Sequence, residues 1–301
     1  MGMCFRFIKR IHLVVFIFIF GFAFPALHGC SNTHRERADS AISEPLAESQ
    51  IIDLSVESAF MERIMPVRVY LPKGYGAGKK YPVWYGLHGS SSSETMWTNA
   101  GITEIADELV VDNEIQPMIM VFPFVKDDAL KEFNKQMKEY GKLGERYIDQ
   151  YISKELIPYI DANFDTIASA KSRYIGGFSM GGMMSLRIAF QHPDLFSKVS
   201  GYSAAVPSSD YSGTQLEKWL FPDENTDEIE NTEKYARKKG LNKLQIYLEW
   251  GNENEPFSVG LQSLCEALEK RKIKVEYKVN DSGHNLVPEN FADYLKYFSG
   301  D

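Results

Sequence analysis

The stretch Gly177-Phe178-Ser179-Met180-Gly181-Gly182 constrains the fold of this chain more than any other. It joins an apolar strand-like run, residues 172–176, to a helix-like run that ends at His192-Pro193. A serine at so abrupt a strand-to-helix turn needs glycines two positions before and two after it, because the backbones crowd one another there. Such a turn, a nucleophile elbow, lifts the hydroxyl to the sheet edge and points the next helix's amide end at the reacting group. Gly-x-Ser-x-Gly alone is a weak signal. The strand before it and the helix after it make it a strong one.

The rest of the chain supplies the sheet that this turn requires. Two β-rich runs, 51–57 and 66–71, are closed by the turn Lys73-Gly74-Tyr75-Gly76. A buried-strand run at 82–87, a helical stretch at 102–111 and a strand at 118–122 follow. Over 145–164, Ile148, Tyr151, Ile152, Leu156 and Ile160 recur at helical spacing. After the elbow come strands at 199–203, 244–250 and 273–279. They are separated by a helix from Pro256, at a first helical position, to Arg271, and a last helix spans about 289–298. Alternation of this kind predicts an α/β fold: a mostly parallel central sheet with helices on both faces and ligands at the strands' carboxyl ends. This is the α/β-hydrolase layout. Residues 206–240 break the rhythm. They are polar, hold Tyr211 and Trp219, and read either as a cap over the site or as a solvated surface excursion.

Residues 1–29 read as a signal peptide rather than as fold. Arg6, Lys9 and Arg10 precede an apolar stretch, 13–24, that is too short to span a bilayer. It ends at Ala26-Leu27-His28-Gly29-Cys30, which resembles a bacterial lipobox, with Cys30 as the acylated mature N-terminus. His28 stands where a small residue is usual, and a retained signal anchor is the alternative reading. Residues 30–50 read as a polar tether and 51–301 as one domain. The expected location is therefore a membrane-anchored lipoprotein, periplasmic or on the cell surface, touching the membrane through its N-terminal lipid only. Loss of the signal takes the net charge from -8 to -11, since it holds three basic residues and no acidic one. That sign argues against nucleic acid or bare anionic membrane as a partner. No metal-ligand spacing, Walker loop or internal repeat is visible, so no metal or cofactor is expected. No motif points to an oligomeric state.

A serine hydroxyl is a weak nucleophile and needs a base. Of six histidines, His12 and His28 lie in the signal and His34 in the tether. His88 follows the 82–87 strand directly, and His192 ends the elbow helix. His284, in Asp281-Ser282-Gly283-His284-Asn285 after the last strand, is left as the base, and the order serine, acid, histidine fits. Leu87-His88-Gly89-Ser90 is a strand end that turns a backbone amide into the site, so Ser90 and Met180 are the candidate oxyanion donors. The acid belongs within Gly251-Asn252-Glu253-Asn254-Glu255-Pro256. Glu255 is the first choice and Glu253 the second. Asn254 as an orienting group, or a Ser–His dyad, are the alternatives. His88 and Trp97 are candidates for contact with substrate.

The chain resembles the esterase D group of α/β-hydrolases, which includes feruloyl and acetylxylan esterases, enterochelin-type esterases and S-formylglutathione hydrolases. The resemblance is carried by Val69-Tyr70-Leu71-Pro72 with Gly74-Tyr75, by Tyr81-Pro82-Val83 through Leu87-His88-Gly89, and by Glu94 and Trp97. Further on it rests on Glu155-Leu156-Ile157-Pro158-Tyr159-Ile160, residues 177–182, His192-Pro193-Asp194-Leu195-Phe196 and Gly283-His284-Asn285. It implies Ser179 as nucleophile, His284 as base and the Ser90 and Met180 amides as oxyanion hole. Where members of the group often carry an aspartate, three residues after the glycine, this chain has Asn254, so the acid passes to Glu255. Where many have an aromatic residue after Gly-His-Asn, it reads Leu286-Val287-Pro288.

The expected function is that of an extracytoplasmic serine esterase that forms an acyl-enzyme on acylated carbohydrate, with feruloyl or acetyl groups, as small molecule or oligosaccharide. A siderophore esterase and an acyltransferase with the same site are the enzymatic alternatives. A surface binding protein that has lost catalysis is the non-enzymatic one.

Overall fold

Strands form where β-branched and aromatic residues cluster. They are β1 (Gln50–Ser58), β2 (Arg63–Leu71), β3 (Val83–Leu87), β4 (Ile119–Pro123), β5 (Arg173–Phe178), β6 (Lys198–Tyr202), β7 (Gln245–Gly251) and β8 (Val275–Asn280). They build one sheet in the order β1-β2-β4-β3-β5-β6-β7-β8. The β1/β2 and β2/β4 pairs are antiparallel, and every other pairing is parallel. β3 to β6 are wholly or almost wholly buried, which is why β3 and β4 read as unbroken apolar runs rather than as alternation, while β5 and β6 bury Arg173, Lys198 and Ser200 among their apolar residues. The computed structural model describes residues 44–76, 78–125, 147–206, 236 and 239–300. The signal, Cys30, most of the tether and nearly all of the 206–240 segment lie outside the described residues.

The helices are α1 (Met96–Asn99), α2 (Ile102–Val111), α3 (Tyr147–Gln150), α4 (Ile157–Asn163), α5 (Met180–Gln191), α6 (Ser258–Lys270) and α7 (Phe291–Ser299). α3 and α4 are joined by a π-helical stretch, Tyr151–Leu156, that the helical spacing did not foretell. Pro158 has no N–H for the carbonyl four residues back and its ring crowds that carbonyl, so the preceding turns widen. α1 was also not foreseen. It holds Trp97, fully buried, stacked on Tyr294 at 5.8 Å and edge-on to Trp84 at 5.3 Å. Two boundaries are corrected. The tether was expected to reach residue 50, yet Leu46 exchanges backbone hydrogen bonds with Tyr75 and Gly74. Its side chain also packs on the core. Pro256 does not begin α6, because the Phe257 N–H is turned back onto the Glu255 side chain and the helix starts at Ser258.

Two aromatic and aliphatic layers cover the sheet. One is gathered on α5, α6 and the π-helical stretch, and the other on α1, α2 and α7. No helix among the described residues is long and apolar enough to cross a membrane.

Candidate active site

β3, β5, β6, β7 and β8 run parallel, so their carboxyl ends share one edge of the sheet. Ser179 follows β5 there with φ 54° and ψ -117°, a conformation that L-residues rarely adopt. Backbone bonds on both sides hold it. Its N–H donates to the Tyr202 carbonyl at 2.9 Å, and its carbonyl accepts from Met183 at 3.0 Å and Ala205 at 2.9 Å.

The elbow's glycines are there because backbone meets backbone. A Cβ on Gly181 would lie 2.4 Å from the Leu87 carbonyl oxygen, and one on Gly177 would lie 2.4 Å from the Gly181 carbonyl carbon. Neither neighbour can move without shifting β3 or α5. Gly181→Ala is therefore expected to cost at least ~3 kcal/mol, measured by urea titration, far more than an alanine gains in an ordinary helix.

His284 lies on the loop between β8 and α7. Its Nε2 is 2.8 Å from Ser179 Oγ, and its Nδ1 is 2.9 and 3.1 Å from the two Glu255 carboxylate oxygens. A carboxylate only accepts, so Nδ1 carries the hydrogen and Nε2 is left to accept from the serine hydroxyl. The Glu255 side chain is 1% exposed and also accepts from the Phe257 N–H at 3.1 Å. Phe178 and Phe257 flank the imidazole at ring distances of 5.0 and 5.2 Å and limit its rotation. The sequence reading passed over these two rings. Their signal was an aromatic residue directly before Ser179 and another directly after Pro256.

The loops are tied to each other as well. Glu253 N–H donates to the Ser282 carbonyl at 2.9 Å, and Asn252 Nδ2 donates to Asp281 at 2.7 Å. Glu253 and Asn254 face solvent, whereas Glu255 is buried against the histidine. Met180 opens α5, Ser90 lies on the exposed turn after β3, and among the described residues neither amide has a hydrogen-bond partner.

His88 and Trp97, read from sequence as substrate contacts, stand behind that turn instead. His88 is 1% exposed. Its Nε2 accepts from the Val125 N–H at 2.9 Å, so Nδ1 donates to the Gly89 carbonyl at 2.7 Å. Trp97 Nε1 donates to the Leu87 carbonyl at 3.2 Å. His88 Nδ1 and Trp97 Nε1 are thus both spent on the backbone that presents Ser90. Removing the imidazole in His88→Ala leaves the buried Val125 amide unpaired. The expected loss is about 1–3 kcal/mol, read by chemical denaturation.

No group of three or more His, Cys, Asp or Glu among the described residues is placed to hold a metal ion. Ser179, His284 and Glu255 form one hydrogen-bonded line from a partly open surface to a buried carboxylate.

Residues 58–296 match the family model described as "Putative esterase". An endo-1,4-beta-xylanase/feruloyl esterase of Xylanibacter ruminicola is 33% identical over 172 residues, which are 53% of this chain and 22% of that one. The chain thus spans about a fifth of that relative's length. An S-formylglutathione hydrolase of Paracoccus denitrificans is 23% identical over 252 residues, 77% of this chain and 87% of that one. Among solved structures, a ferulic acid esterase superposes with a TM-score of 0.68 at 22% identity, covering 84% of this chain and 98% of that one. At that identity the likeness bears on the fold, which is the α/β-hydrolase fold.

Proposed function

Since this chain belongs to the esterase family of α/β-hydrolases, we propose that it is a serine carboxylic-ester hydrolase working through an acyl-enzyme on Ser179. The observation that carries the reading is the unbroken line Ser179–His284–Glu255, with 2.8 and 2.9 Å links. In the first half-reaction Ser179 Oγ attacks the ester carbonyl carbon and its proton passes to His284 Nε2. The new oxyanion sits between the Ser90 and Met180 amides. Collapse expels the alcohol, which takes the proton from Nε2 and leaves the acyl group on Ser179. Water then attacks the acyl carbon, giving its proton to Nε2, and as the bond to Ser179 Oγ breaks that proton returns to Oγ and the acid departs. Glu255 holds the Nδ1–H tautomer throughout and stabilises the imidazolium formed in each half.

The substrate class proposed is acylated carbohydrate, with an acetyl or feruloyl group. A relative named for both xylanase and feruloyl esterase activity supports it. Leu286-Val287-Pro288 supplies no aromatic ring beside the histidine, which favours the smaller acyl group. The test is a pre-steady-state experiment with p-nitrophenyl acetate and methyl ferulate. A burst of product equal to the enzyme concentration, with the acyl group found by mass spectrometry on the peptide holding Ser179, is expected. A linear time course with an unmodified Ser179 would sink the acyl-enzyme. The ratio of the two rates ranks the acyl groups.

The proposed address is outside the cytoplasm, held by a lipid on Cys30. Incorporation of labelled palmitate by cells expressing the full chain, abolished by Cys30→Ala, is the expected result. Equal labelling of the two would exclude that anchor.

A further inference from the structure

Glu249 sits within β7, in the run Ile246-Tyr247-Leu248-Glu249-Trp250, and has no exposed surface. A carboxylate buried among apolar neighbours is costly unless its oxygens are satisfied. Here neutral donors satisfy them. Oε1 accepts from Asn280 Nδ2 at 2.9 Å and Asn290 Nδ2 at 2.6 Å, and Oε2 accepts from the Tyr247 hydroxyl at 2.9 Å.

The positions of the two asparagines give this cluster its meaning. Asn280 is the last residue of β8, and Asn290 ends the short turn that leads into α7. They are the two ends of the loop that carries His284. Inside the loop the network continues. The Ser282 hydroxyl donates to Asn280 Oδ1 at 2.5 Å, and the Val287 N–H donates to the Tyr202 hydroxyl at 3.1 Å. Burial first, and the Glu249 charge second, push the Tyr202 and Tyr247 phenols up, so both stay protonated. Lys278 Nζ donates to Asn290 Oδ1 at 3.2 Å, which turns the Asn290 amide nitrogen toward Glu249.

We infer that Glu249 is a positioning residue for the reaction: one buried carboxylate clamps both ends of the histidine loop and so fixes His284 Nε2 against Ser179. It touches no reacting atom. The inference rests on the reading of His284 as the base. It differs from a purely structural role in what it predicts. A staple of the sheet governs only stability, whereas a clamp on the base governs the chemical step at unchanged substrate binding.

The experiment compares wild type, Glu249→Leu, Glu249→Gln, Asn290→Ala and Ser179→Ala in p-nitrophenyl acetate hydrolysis, with the melting temperature of each. Displacing a catalytic group by about an ångström costs on the order of 100-fold, so Glu249→Leu is expected to lower kcat by about that factor with KM unchanged. Glu249→Gln keeps an acceptor for both asparagine amides and is expected to restore most of kcat. Asn290→Ala removes one charge-assisted bond from a half-buried position and is expected to lose roughly tenfold in kcat. Wild-type kcat in Glu249→Leu and Asn290→Ala, with only melting temperatures lowered, would overturn the inference. Should Glu249→Leu not fold, wild-type kcat in Asn290→Ala overturns it alone. Full activity in Ser179→Ala is a separate result, in which the reading of the site fails and the clamp falls with it.

Discussion

Ser179→Ala is expected to lower kcat for p-nitrophenyl acetate by about 10⁴- to 10⁶-fold, leaving only what the oxyanion donors and binding supply. The Oγ that accepts the acyl group is gone, and no hydroxyl remains 2.8 Å from His284 Nε2. A companion variant makes this result specific to chemistry rather than folding. Ser179 is held at φ 54° and ψ -117°, where glycine is unstrained and other residues are disfavoured by about 1–3 kcal/mol. Ser179→Gly is therefore expected to be as inactive as the alanine variant yet to melt at a higher temperature than wild type. A variant that gains stability while losing all turnover would locate the strain and the nucleophile on one residue. A lower melting temperature would mean that the turn stores no strain.

The second large effect concerns the acid. In Glu255→Gln the Nδ1–H tautomer loses its anionic acceptor, and the amide's own N–H can turn the imidazole the wrong way. A fall in kcat of about 10²- to 10⁴-fold is expected. Glu253→Gln, two residues earlier and in solvent, is expected to match wild type, because only its backbone amide is used by the histidine loop. Equal rates for the two variants would remove Glu255 from the mechanism and leave a Ser–His dyad. The pair is informative because the side chains share charge, length and neighbourhood, and differ in burial.

What the sequence made legible follows from how locally each feature is encoded. The spacing Gly177-x-Ser179-x-Gly181 is written within five residues, so the motif could be read from the string alone, although the backbone that crowds Gly181 belongs to Leu87 and His88. The central strands β3 and β4 were legible because burial on both faces leaves unbroken apolar runs. His284 emerged by elimination, and the structure places it within hydrogen-bond reach of Ser179. Features set by long-range packing were not legible. α1 is only four residues long and owes its place to Trp97 lying among Trp84, Phe291 and Tyr294. His88 read as a substrate contact because it follows a strand end, and nothing local shows that the Val125 N–H, 37 residues on, donates to its Nε2. Glu249 carried a signal, an acidic residue within a buried strand run, but its partners lie 31 and 41 residues away.

The loop after β7 bears on how such chains are sorted in genomes. Asn254 adopts a left-handed backbone at φ 52°, and that reversal sends the next side chain, Glu255, inward to the histidine. A column-by-column alignment with relatives that carry aspartate at the Asn254 position would find an amide in place of the acid and file the protein among the inactive members. The carboxylate that meets His284 Nδ1, at 2.9 Å, belongs to the next residue, Glu255. A survey rule that scores the Asn254 position alone would miss this carboxylate, and a rule that accepts glutamate one place later would find it.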